Sequence, residues 1–165
     1  MPALPLNSEN LPYPDPIHPI VVHFVIAMVF FSFFCDVVGY LTRNRRLLEV
    51  SFWNMFVAAI AIFVAIVFGQ FEAGIARPYA AAQGTLNLHT VLGWSLSAIV
   101  VAITAWRFVV IRARNPIKIP PAYMGLAAFL VCLVSLQMYL GSKLVWVYGL
   151  HVEPVVEAMK QGVIR

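Results

Sequence analysis

Charge is scarce in this chain. Of its 165 residues, 11% are Asp, Glu, Lys or Arg, against roughly a quarter in a soluble domain. Hydrophobic residues make up 62% and the mean hydropathy is +0.87. No soluble fold of this length buries so much apolar surface, so the composition requires an integral membrane protein. Cysteine is nearly absent. The two present, Cys35 and Cys132, lie inside apolar runs and read as small core residues rather than a disulfide framework. Also absent are a Gly-rich phosphate loop, GxSxG, HExxH, CxxC and the CxxCH motif of covalently attached haem. These absences exclude the usual nucleotide-dependent, serine-hydrolase and zinc-protease chemistries. The net charge of +4 comes from loop bases and implies no nucleic-acid partner. No basic segment precedes an apolar core at the N-terminus, so a cleaved signal peptide is not expected.

What the chain does have is four apolar runs of membrane length. A polar, Pro-rich arm is expected over residues 1–18. Spans are expected at about 19–41, 50–71, 87–111 and 121–141, within a membrane domain of 19–149, followed by a tail over 150–165. Each run approaches the roughly 20 residues a helix needs to cross the hydrocarbon. Four separate strands could not close a barrel, so helices are the economical reading. Short connections favour an all-α, antiparallel four-helix bundle. The 1–2 and 3–4 turns carry Arg43, Arg45, Arg46 and Arg112, Arg114, Lys118 with no acid. The positive-inside rule places both turns in the cytoplasm and both termini outside it, in a bacterial plasma or thylakoid-type membrane.

In that topology all four histidines share the non-cytoplasmic side. Pro19 is suited to the first turn of a helix, where its missing N–H costs nothing. His23 then lies about 6 Å into span one, and His89 lies near the start of span three. An ionisable side chain at that depth is costly in lipid and usually faces the protein interior. His23 and His89 are therefore expected to form an axial pair for a haem between helices, since haem iron takes two imidazoles within an apolar slot. Gly93, four residues after His89, would let the flat macrocycle approach the backbone. His18 is expected at the interface, as a cap or headgroup contact, and on a different side of the helix from His23. His151 lies beyond span four, up to about 15 Å above the membrane if the helix continues. His18 with His151 is a candidate second ligand pair or quinone contact. Each histidine also has a plainer reading, as a hydrogen-bonded anchor or a solvated residue. Glu72 and Gln70 are candidates to orient a histidine. Asp36 is expected to pair with Arg43 or Arg107, and Gln137 to bond a neighbouring helix. Trp53, Trp94, Trp106 and Trp146, with Tyr40, Tyr139 and Tyr148, read as interfacial belts.

The stretch His18-Pro19, Val22-His23-Phe24, Ile26-Ala27, with His89 and Gly93 opening the third span, resembles a bacterial family of small four-span membrane proteins. Its signature is HPxxVHFxIA followed by His-x-x-x-Gly, and the resemblance covers most of residues 17–141. Val25 stands where that pattern commonly has proline. The sequence is similar to cyanobacterial members. Some members are encoded beside haem-copper terminal oxidases, which implies an accessory electron-transfer role.

The functional expectation is a haem b-binding electron-transfer subunit of a membrane redox complex. It would carry one haem, or two if His18 and His151 also ligate. It would pass electrons from quinol or a lumenal donor to a terminal oxidase. Membrane lipid, other subunits of the complex or a paralogous copy are the expected partners. Three alternatives compete. One is a cofactor-free structural subunit. Another is a copper- or metal-handling protein using the same histidines, against which the lack of nearby methionine clusters counts. The third is a transporter, for which no internal repeat was evident.

Overall fold

The computed structural model describes residues 17–76, 78–113 and 119–163. Among them all regular structure is helical. Four long helices, α1 (Ile17–Thr42), α2 (Arg45–Ala76), α3 (Ala80–Ala113) and α4 (Pro121–Trp146), run up and down, and a short α5 (Glu153–Lys160) follows. All four long helices are apolar enough to span a membrane. The exterior is apolar as well: Ile20, Phe34, Leu41, Trp53, Phe129 and Tyr139 all lie on the outer surface. A helix apolar on every face belongs in lipid. The fold is an all-α membrane bundle, as the composition required. Residues 1–16 of the expected N-terminal arm lie outside the described residues, as do Arg114 and Lys118, whereas Ile17 and His18 belong to α1.

The helices are longer than the apolar runs that announce them. α3 has 34 residues, about 51 Å, against a hydrocarbon core of about 30 Å. Apolar content marks only the part of a helix within lipid, so expected spans of 50–71, 87–111 and 121–141 underestimated α2, α3 and α4.

Buried positions repeat in steps of three and four. On α1 they run Val25, Val29, Ser32, Asp36, Gly39, and on α2 Leu48, Ser51, Met55, Ala58, Ile62, Ala65. On α3 they run Leu96, Val100, Ile103, Arg107, and on α4 Tyr123, Ala127, Leu130, Val134. This is the spacing of left-handed knobs-into-holes packing. Small residues on the seams let the backbones approach. Gly39 is one case: a Cβ there would stand 2.7 Å from Leu48 Cδ2. The turn that follows is tight. Arg43 takes a left-handed conformation at φ 54°, the Asn44 N–H donates to the Gly39 carbonyl at 2.9 Å, and Asn44 Oδ1 accepts from the Arg46 N–H at 3.0 Å to cap α2.

At this arginine-rich end a desolvated polar clasp joins all four helices. Arg107 donates to Asp36 at 3.2 Å and to the Leu48 carbonyl at 3.2 Å. Tyr123 donates to the other Asp36 oxygen at 3.0 Å. The Asp36 and Arg107 side chains are 0% and 1% exposed. Of the two partners expected for Asp36, the structure selects Arg107. An internal correspondence is also present. His18 and Asp36 in α1 match His89 and Arg107 in α3, each pair separated by 71 residues. The four long helices form two α-hairpins, α1–α2 and α3–α4, laid side by side.

Candidate cofactor site

The opposite end of the bundle holds a cavity of about 660 Å³, within the range of small-molecule and cofactor sites. Its walls are mainly apolar, from Val25, Val29, Ile62, Leu96, Val100 and Val134. His18, His23, His89 and His151 all border it, with Glu72, Gln137 and Gly93.

His18 enters from α1 and lies across α2. Its ring rests on Gly69, where an added Cβ would stand 2.8 Å from Cε1. Its Nδ1–H donates to the Ala65 carbonyl at 2.8 Å, and its backbone N–H donates to Glu72 Oε1 at 3.2 Å. With Nδ1 spent on a carbonyl, Nε2 keeps its lone pair, which is how a metal-ligating imidazole is commonly held.

His89 makes the equivalent contact in the second hairpin. Its ring rests on Gly141 of α4, where a Cβ would stand 3.2 Å from Cε1. Gln137 Nε2–H donates to the His89 carbonyl at 3.0 Å and faces His89 Nε2 at 3.2 Å. The amide nitrogen that serves the carbonyl is a donor, so the ring Nε2 is unprotonated and its lone pair accepts the Gln137 N–H. His89 Nδ1 and Gln137 Oε1 are buried with no hydrogen-bond partner. Gly93 makes room for Gln137: a Cβ there would meet Gln137 Nε2 at 3.3 Å. The expected bond from Gln137 to another helix is therefore present, and it is to His89.

His23 is placed differently from expectation. It is exposed on the outer side of α1, and its Nδ1 bonds the Pro19 carbonyl of its own helix at 2.6 Å. His18, which α1 includes because the helix begins at Ile17, occupies the interior position assigned to His23. The physical reason is register. Residue 18 continues the α1 seam through Val22 and Val25, whereas residue 23 falls one step off it.

His151 also departs from expectation. α4 does not carry it away from the bundle. Gly149, at φ 65°, reverses the chain, and the Leu150 N–H closes on the Leu144 carbonyl at 3.1 Å. Leu150 is buried with Ala82 and Leu144, while Val156 of α5 packs on Ala76. His151 Nε2 thereby comes to 3.6 Å from Glu72 Oε2. Burial, and after it the charge of His18, hold its imidazole below the ordinary histidine value. Tyr79, whose hydroxyl donates to the Tyr148 carbonyl at 2.8 Å, pins the same turn.

Sequence comparison agrees with this architecture. The profile of a family described as predicted membrane protein, DUF2231, matches residues 14–154. The chain belongs to the DUF2231 family. The match takes in all four long helices and the His151 turn. No curated protein and no solved structure matches the chain.

Proposed function

We propose that the protein is a haem b-binding, one-electron-transfer subunit of a membrane redox complex, with His18 and His89 as the axial ligands. One observation carries this reading. Two imidazoles, from α1 and α3, border one apolar cavity, His18 with Nδ1 spent on the Ala65 carbonyl and His89 with an unprotonated Nε2 that accepts from Gln137 and would bind iron once that amide turns aside. A haem iron needs that donor pair, and helical bundles build cofactor sites from side chains on facing helices. Among the described residues no group of three His, Cys, Asp or Glu side chains could hold a metal ion.

Haem supplies a one-electron couple. The chain's own residues do the rest. Ala65 fixes the His18 tautomer, Gln137 fixes that of His89, and Gly69 and Gly141 leave space for the rings. The apolar walls exclude water, and the turn at Gly149 brings Leu150 and His151 to the cavity's edge. By the positive-inside rule the arginine end is cytoplasmic and the histidine end faces the periplasm or lumen. A reduced-minus-oxidised spectrum of the purified full chain tests the proposal. Low-spin b-type bands with about one haem per chain are expected, and a haem-free protein from haem-replete cells would leave the structural-subunit reading.

A further inference from the structure

The cavity reaches the outer surface of the bundle. His23 on α1 and Met138, Ser142 and Trp146 on α4 border it and are exposed. The α1–α4 seam is also the sparsest of the four helix contacts. At this depth the mouth opens toward lipid. The aqueous end is bordered by Leu150 and His151, so a lipid-soluble molecule meets the site more directly than a soluble protein does.

His23 gives this mouth a polar group with a defined tautomer. Its Nδ1–H is held by the Pro19 carbonyl at 2.6 Å, so Nε2 is a hydrogen-bond acceptor, and no protein group occupies it among the described residues. This acceptor sits at the α1–α4 mouth with apolar Val22 and Ile26 beside it.

We propose that the α1–α4 mouth binds a lipid-soluble hydroquinone, whose hydroxyl donates to His23 Nε2 while its hydrocarbon tail remains in the bilayer. The ring lies against Val22 and Ile26. Service as an electron source rests on the haem reading. Oxidation to the quinone then breaks two O–H bonds and releases two protons and two electrons. The first proton would leave through Nε2 and the second to water, and a haem held by His18 and His89 would supply a one-electron acceptor, re-oxidised between the two transfers by a downstream one-electron oxidant of the complex.

Binding is testable without turnover. The full chain in phosphatidylcholine nanodiscs is titrated with a decyl-substituted benzohydroquinone under reducing conditions, and hydroquinone retained per disc is measured with empty discs subtracted. Saturable binding is expected. His23→Ala should weaken it about tenfold, the upper range for one hydrogen bond, and His23→Gln, which keeps an acceptor, should recover most of the affinity. Non-saturable uptake equal to empty discs, or wild-type affinity in His23→Ala, overturns the proposal. The haem spectrum is recorded on the same discs. Haem without saturable hydroquinone binding defeats this site alone, and saturable binding without haem defeats the haem reading alone.

Discussion

His18 and His89 each lay an imidazole across a glycine of the next helix, His18 over Gly69 and His89 over Gly141. The two contacts are alike, α1 on α2 and α3 on α4, and both rings border one cavity.

That relationship predicts the effect of a single methyl group. Alanine normally improves a helix interior over glycine by about 1 kcal/mol. At Gly69 the new Cβ would stand 2.8 Å from the His18 ring, and at Gly141 3.2 Å from the His89 ring. Gly69→Ala should therefore destabilise the protein by about 1–3 kcal/mol, as overpacking does, and displace His18. Gly141→Ala should do so more mildly. Thermal unfolding in detergent, with the haem spectrum alongside, reads both effects. A stabilised Gly69→Ala would contradict the packing described.

A second prediction concerns the clasp at the other end. Removing one member of a buried ion pair costs about 3–5 kcal/mol, because the remaining charge is stranded. Asp36→Ala should lose that much, since Arg107 also serves the Leu48 carbonyl and cannot turn to solvent. The double substitution Asp36→Ala with Arg107→Leu should recover much of the loss. Both are measured by equilibrium unfolding, and the haem spectrum should survive wherever the bundle folds.

Much of this architecture was legible in the sequence, and the part that was not has a definite cause. Apolar runs declare four spans because lipid demands them. They do not declare which face of a span is inside, because every face is apolar. That information resides in the small and polar residues. Ser32, Asp36 and Gly39 on α1, and Ala65, Gly69 and Glu72 on α2, repeat at three and four. Extending the α1 seam upward through Val25 and Val22 lands on His18 and misses His23. The same extension joins His89 to Gly93 and Leu96, and Gln137 to Gly141. The reversal at Gly149 had only its glycine as a signal, so the arrival of His151 beside Glu72 was not legible.

The third prediction is a pH effect on that turn. His151 is held below its ordinary value of 6.5, chiefly by burial. A histidine depressed in the folded state binds fewer protons there than when released. Its contribution is therefore intact above the released value and is lost as pH falls from about 6.5 through the lower folded value. Amide hydrogen exchange over residues 148–160 should accelerate on acidification across that window. In His151→Gln the acceleration should be smaller. An acceleration on raising the pH instead would reverse the assigned sign.

The fourth prediction is topological. Single cysteines at Gln83, near the start of α3, and at Asn44, in the first turn, lie at opposite ends of the bundle. With Cys35 and Cys132 replaced, an impermeant thiol reagent should label position 83 from the periplasmic or lumenal side, and position 44 only after the membrane is opened. The reverse pattern would invert the proposed orientation.

The most direct measurement compares three alanine variants by reduced-minus-oxidised spectroscopy of protein purified from haem-replete cells. His18→Ala and His89→Ala should each lose the low-spin b-type bands, whereas His23→Ala, altered only at the outer mouth, should keep them. Loss in His23→Ala with retention in His18→Ala would contradict the ligand assignment, and a wild-type protein without haem would contradict the account as a whole.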